Sequence, residues 1–151
     1  MVRSTGRPPR TIQAAVPPGS MPGEAHGALA AGVVGDELDS FDERDAGGTV
    51  AVIVPPSLLE AVASALDGAG LPFGQVGGGA LDEQVTLLTI EDAKGLEFDS
   101  VVVVEPARIV RETAQGLRAL YVAFTRATQR LSIAHAESLP APVAAAAQSS
   151  A

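Results

Sequence analysis

Two short apolar runs, residues 85–90 and the four valines at 101–104, lie on either side of the polar stretch Thr89-Ile-Glu-Asp-Ala-Lys-Gly-Leu-Glu-Phe-Asp99. Each run is too short for an ordinary helix and is rich in Val, Thr, Ile and Leu, the pattern of a strand buried on both faces. Strands of that kind belong to parallel sheets, which need helices over both faces. In an open parallel sheet, ligands collect in crevices outside the strand ends. The polar stretch therefore reads as rim, and the chain around it as an α/β layer structure.

A second stretch, Leu120-Tyr-Val-Ala-Phe-Thr-Arg-Ala127, reads as the end of an apolar helix that delivers one arginine, Arg126. Lys94, inside the first stretch, is the only lysine in the chain. Together the two stretches point to a nucleotide site. Read alone, Arg126 is better explained as a cation set at a helix C-terminus, where the dipole favours it. Glu97, read alone, is a carboxylate exposed on a loop.

Residues 89–99 resemble motif V of the UvrD/Rep-type superfamily 1 helicases, usually T-x-H-x-x-K-G-L-E-F-D. Residues 118–130 resemble their motif VI, usually R-R-L-x-Y-V-A-x-T-R-A-x-x-R-L. Both occur in the family's order, with a hydrophobic strand between them. The run Val-Val-Val-Val-Glu-Pro-Ala-Arg-Ile at 101–109 is similar to the HelD-like branch, helicase-related ATPases that remodel or recycle RNA polymerase. The resemblance covers about 49–139. It implies a RecA-like (P-loop NTPase-type) α/β fold, a parallel sheet with helices on both faces, and the second motor domain only.

Further implications fall residue by residue. Arg126 matches the arginine that reaches the γ-phosphate of ATP. Glu97 matches the glutamate that accepts hydrogen bonds from the ribose hydroxyls, and Gly95 the glycine that lets backbone approach the nucleotide; a carboxylate suits a vicinal diol, and glycine removes a side-chain clash. Lys94 is placed by the same match at the cleft between motor domains, near phosphate. Thr89 matches the threonine that holds a phosphate of the nucleic-acid strand. Two residues on, the family histidine is replaced by Glu91, followed by Asp92. Paired carboxylates repel a phosphate backbone, which favours the polymerase-directed branch over ordinary strand translocation. A second departure has the same sense: Pro55-Pro56 stands where many relatives place the motif IV arginine.

No G-x-x-x-x-G-K-[ST] sequence is present, because the one lysine sits in Ala-Lys-Gly at 93–95. The glycine run at 77–79 lacks the Lys-Ser or Lys-Thr that a phosphate loop needs. The resemblance therefore implies that a first RecA-like domain, in cis or in trans, supplies the phosphate loop and holds Mg2+. The competing expectation is a non-catalytic module that keeps the fold and docks on a partner such as RNA polymerase.

Charge decides what the chain does on its own. The net charge is −8, and residues 36–100 hold fourteen of the eighteen acids against only Arg44 and Lys94. Nucleic-acid binding needs clustered Lys and Arg, so autonomous binding is disfavoured. With no Trp, a single Tyr and four Phe, stacking platforms are also few. The absence of cysteine removes disulfides and thiolate metal sites and fits a reducing cytoplasm. Neither His26 nor His135 has a partner at metal-ligand spacing, so no metal site is expected at either. No apolar run reaches the roughly 20 residues of a membrane span, and a cytoplasmic protein is expected.

Along the chain, 1–48 is expected to be mostly irregular, Pro/Gly-rich and acidic. Within it, 11–16 is a candidate edge strand and 28–38 a candidate short helix, while the acidic run 36–45 reads as a solvated linker. Order is expected from Thr49. A strand at 49–54 stops at Pro55-Pro56, and a helix follows with Ser57 as N-cap, Glu60 completing a capping box, and Leu58, Leu59, Val62, Ala65 and Leu66 on one face. Strands follow at 71–76, 85–90 and 101–104, then a partly helical connection at 107–115. A helix at 116–127 is expected to turn Leu117, Leu120, Tyr121 and Phe124 to the sheet, with a last strand at 131–134. The domain is expected to span 49–139, with 140–151 a disordered tail.

Overall fold

The computed structural model describes residues 10–13, 22–43, 49–75, 84–92, 98–118, 120 and 127–135. In order, the elements are β1 (Arg10–Gln13), α1 (Pro22–Glu43), β2 (Val50–Ile53), a 3-10 turn (Pro56–Leu58), α2 (Leu59–Gly68), β3 (Gly74–Gln75), β4 (Val85–Leu88), β5 (Phe98–Val104), α3 (Pro106–Glu112) and β6 (Ala127–His135). The strands form one six-stranded sheet in the order β1-β6-β5-β2-β4-β3. Every pairing in it is parallel.

The expected buried strands are present, and their alternation builds both halves of the core. Val50, Val52, Val54, Val85, Leu87, Val102 and Val104 turn to one face, where Ala30, Val33 and Val34 of α1 and Val62 and Leu66 of α2 cover them. Ala51, Ile53, Leu88, Val101, Val103 and Ile133 turn to the other, against Ile109 of α3 and Leu120. The sheet is thus covered on both sides, as strands apolar on both faces require.

Helix α1 contains the candidate short helix at 28–38 and extends it at both ends, which corrects the mostly irregular reading of the rest of 22–43. It runs 22 residues, starts at a proline that the first helical turn tolerates, and takes in most of the run read as a linker. Asp36 and Asp39 are exposed as that reading required, but Glu37 is buried. The helix survives three interior glycines, Gly27, Gly32 and Gly35, each costing about 1 kcal/mol relative to alanine. Val33 and Val34 offset this, since burying each is worth roughly 1.5–3 kcal/mol. Gly27 permits the approach to α2: a Cβ there would meet Ala65 Cβ at 2.8 Å and the Ala61 carbonyl oxygen at 2.9 Å. The candidate edge strand is also present, as β1, paired with β6.

Two further differences are local. Ser57 is not an N-cap, because the chain enters a 3-10 turn at Pro56 and Ser57 falls inside it; no side-chain cap is made at the start of α2. Leu58, Val62 and Leu66 are buried as the helical spacing predicts, while Leu59 and Ala65 are half-buried. The last strand is longer than expected, and Ala127 opens β6 instead of ending a helix. Residues 116–118 and 120 are helical, with Leu120 buried and Leu117 half-buried, while Tyr121 and Phe124 lie outside the described residues. So do residues 77–79 and 140–151.

Candidate nucleotide and strand sites at the two sheet edges

Because all strands are parallel, the sheet has a carboxyl edge, where strands end, and an amino edge, where they begin. β2 lies between β4 and β5. From β2 the chain moves to one side to make β3 and β4, then passes to the other side for β5 and β6, which makes the neighbourhood of β2 the switch point. The stretch 89–97 links the end of β4 to the start of β5. It therefore joins the two edges, and the expectation of a single rim is corrected.

At the carboxyl edge, Thr89 follows β4 half-buried, and its Oγ1 donates to Asp92 Oδ2 at 3.1 Å. Glu91 and Asp92 are exposed beside it. The Thr89 hydroxyl that the resemblance assigns to a phosphate is thus engaged by a carboxylate of the same turn. Past the end of β2, the Ser57 amide donates to Glu112 Oε1 at 3.0 Å and its hydroxyl to Glu112 Oε2, tying the lead into α2 to the end of α3. Arg108 lies on the same carboxylate, 3.7 Å away.

The same edge holds a buried pair that the sequence did not disclose. Glu105, directly after β5, is fully buried, and its carboxylate shares a 2.7 Å hydrogen bond with His26 Nε2 of α1. Its backbone is left-handed, with φ 49°, a conformation that costs a non-glycine residue of order 1–3 kcal/mol unless its surroundings hold it. They do hold it: the Glu105 amide donates to the Ala134 carbonyl at 2.7 Å, and its own carbonyl accepts from Arg108 and Ile109 at the start of α3. Farther along α1, Glu37 Oε1 accepts from Ser100 Oγ at 2.7 Å. His26, expected in an irregular segment, is therefore a core residue.

At the amino edge, the organising contact is between Thr49 and Asp99. Asp99 Oδ2 accepts from the Thr49 amide at 2.8 Å and from its hydroxyl at 3.3 Å, and the Thr49 carbonyl accepts from the Ser100 amide at 2.9 Å. The return bond, from the Asp99 amide to Thr49 Oγ1, is 3.3 Å long. These contacts fix the start of β2 against the start of β5. On the other side of β5, Phe98 is the register partner of Ala127, and the pairing then shifts before Ser100 meets Arg130. The chain enters Phe98 from Glu97 and Ala127 from Arg126. Lys94, Gly95, Glu97 and Arg126 themselves lie outside the described residues.

Of the sequence-predicted residues, then, Thr89 stands at the carboxyl edge, while the positions that immediately follow Glu97 and Arg126 are paired at the amino edge. Asp99 appeared in the sequence only as a letter of the motif, and Thr49 only as the start of order; their contact spans fifty positions and had no local signal. Among the described residues, no group of three His, Asp or Glu could hold a metal. No described helix is long and apolar enough to cross a membrane. A groove of about 710 Å³ lies between α1 and α2, lined by residues of those two helices and by Ala69 just after α2.

Residues 84–134 match the family model of the UvrD-like helicase C-terminal domain. That span runs from just before β4 to near the end of β6 and contains both motif stretches. Among solved structures, the chain is similar to the C-terminal domain of a possible DNA helicase from Lactobacillus plantarum WCFS1, with a TM-score of 0.62 and 24% identity over 87% of this chain and 75% of that one. No curated protein matches the chain. The structural likeness establishes the fold, an α/β parallel sheet covered by helices.

Proposed function

We propose that the chain provides the second motor domain of an ATP-dependent superfamily 1 helicase-type motor, acting with a first RecA-like domain in cis or in trans. The observation that carries this reading is the family match over 84–134, supported by the pairing of Phe98 with Ala127, which leads the chain segments of Glu97 and Arg126 into one edge. In this reading the amino edge faces ATP. Arg126 extends its guanidinium to the γ-phosphate, clamps two oxygens and neutralises charge that grows as the terminal phosphoryl group leaves. Glu97 accepts from the ribose hydroxyls, Gly95 lets the backbone close on the nucleotide, and Lys94 stands near phosphate. The phosphate loop, Mg2+ and the residue that orients water belong to the other domain. The Thr49–Asp99 contacts hold the start of β5, the strand that follows Glu97 in the sequence.

The carboxyl edge faces the nucleic-acid or protein track. Exposed Glu91 and Asp92, with Asp92 engaging Thr89, favour an RNA polymerase-directed motor over a DNA translocase, since two carboxylates at this position oppose a phosphate backbone.

The test is reconstitution. Alone, the chain is expected to show no ATPase with or without DNA. With a phosphate-loop domain of a UvrD-like helicase supplied in trans or by fusion, ATPase is expected to appear and to be lost on Arg126→Ala. Turnover by the isolated chain that Arg126→Ala abolishes would sink the half-motor reading. Absence of turnover in every reconstituted pairing would leave the non-catalytic docking module.

A further inference from the structure

The outer side of the helical layer has a composition that solvent does not explain. Between α1 and α2 runs the groove of about 710 Å³, walled by Ala28, Ala31 and Gly32 on one side and Ala61, Ala65 and Gly68 on the other. A surface helix ordinarily shows charged and polar side chains to water. Over 27–34, α1 has none. Its inner stripe, Ala30, Val33 and Val34, is used against the sheet, yet Ala28 and Gly32 on the outside are just as bare and are exposed. A helix apolar all round is one expected to be covered on both sides.

The glycines make the same point. Gly27 is required by the chain's own packing, but a Cβ at Gly32 or Gly68 would meet nothing within 4 Å. Among the described residues, nothing asks for their missing side chains. Bare walls of this kind let a further backbone come close, at the 8–10 Å axial spacing of packed helices.

Charge identifies what fits. Ala28, Gly32, Asp36 and Asp39 follow one another at helical spacing along α1, and Glu60, Ser64 and Asp67 do so along α2. All four acids are exposed, and neither helix contains a single Lys or Arg. A second copy of this chain would bring the same acids against them, and a nucleic acid would bring phosphates. The geometry points to a docking groove for one amphipathic helix of a partner protein, its Ala/Leu stripe lying between α1 and α2 and its flanking Lys and Arg meeting Asp36, Glu60 and Asp67. This is the helix-in-groove mode of recognition with acidic rims.

The probe is a fluorescein-labelled helical peptide with an Ala/Leu stripe flanked by Lys and Arg, titrated with the full chain by fluorescence anisotropy over a salt series. Saturable binding that weakens with salt is expected. Gly32→Leu and Ser64→Leu fill opposite walls without changing charge, and each should weaken binding by about tenfold or more, equivalent to about 1.4 kcal/mol. Asp36→Lys combined with Glu60→Lys should weaken it comparably. Both leucine variants should keep the parent's circular dichroism, since both positions are exposed and leucine favours helix more than glycine or serine does. Equal binding of a peptide with the same composition and a scrambled stripe would overturn the proposal in favour of charge attraction alone. It is overturned equally by an absence of binding, or by binding that Gly32→Leu leaves unchanged. Self-association of the chain in sedimentation, abolished by Gly32→Leu, would assign the groove to a second copy.

Discussion

The two edges of the sheet are built by opposite means. At the carboxyl edge, exposed acids stand over a buried interior: Glu91 and Asp92 face water, while Glu105 is fully buried on His26. At the amino edge, the fixing contact is shallow, between exposed Thr49 and half-buried Asp99, and the order comes from strand register. The buried pair sets a structural angle, where α1, β5 and α3 meet. The shallow contact sets the start of a strand next to candidate nucleotide residues. One short stretch, 89–97, connects the end of β4 at one edge to the start of β5 at the other.

The largest expected effect lies at the amino edge. In the reconstituted motor, Arg126→Lys keeps a positive charge and loses the two-pronged guanidinium, so ATPase should fall by about 10³-fold or more, in the range of arginine-finger removals. Oligonucleotide binding by the same protein should be unchanged. Near-parental turnover in the lysine variant would reassign Arg126 to its helix-end role. A parallel loss of oligonucleotide binding would mean that the two edges do not have separate tasks.

Much of this was legible in the sequence where a residue's periodicity agreed with its neighbours. β2, β4 and β5 were readable because both faces of each strand are apolar, and the inner face of α2 because Leu58, Val62 and Leu66 recur at helical spacing. α1 was legible only in part, as the candidate helix at 28–38, because Pro22 and Gly27 ahead of that span look like breakers and the acids at its end look like a linker. The signal was there: Ala30, Val33, Val34 and Glu37 lie at i, i+3, i+4 and i+7, a helical face that ends in a carboxylate. Tertiary burial overrode local propensity. The pairing of His26 with Glu105 spans 79 positions and had no sequence signature at all. Both motifs were legible as letters, but their division between the edges was not, because that depends on β5 and β6 being neighbours and β4 standing across β2.

The carboxyl edge should dominate stability as the amino edge dominates turnover. His26→Ala removes the 2.7 Å partner of the buried Glu105 carboxylate, and losing a buried hydrogen bond of that kind costs about 2–3 kcal/mol. Urea unfolding followed by circular dichroism should show a midpoint shift of that size. A loss below about 1 kcal/mol would mean that Glu105 is satisfied by its other surroundings. At the amino edge, Asp99→Ala removes the contacts to the Thr49 amide and hydroxyl, and in that shallower setting the expected cost is about 1–2 kcal/mol. A larger cost for Asp99→Ala than for His26→Ala would invert the comparison.

The smallest effect tests whether the acids at the carboxyl edge face a track. Glu91 is exposed beside Thr89, whose hydroxyl is held by Asp92 at 3.1 Å. If a phosphate backbone passes here, Glu91→His removes one negative charge beside it and adds a donor, which should strengthen binding of a labelled single-stranded oligonucleotide by the reconstituted motor a few-fold at low salt. The gain should shrink as salt rises, because an exposed charge acts over about 10 Å at 0.1 M ionic strength and less above it. Asp92→Ala should act in the same direction by leaving the Thr89 hydroxyl to donate to phosphate. The parent protein should bind weakly throughout the series. Tight, strongly salt-dependent binding by the parent, unchanged by either substitution, would place the phosphate track away from Glu91 and Asp92, and the polymerase-directed reading would then yield to a DNA-translocating one.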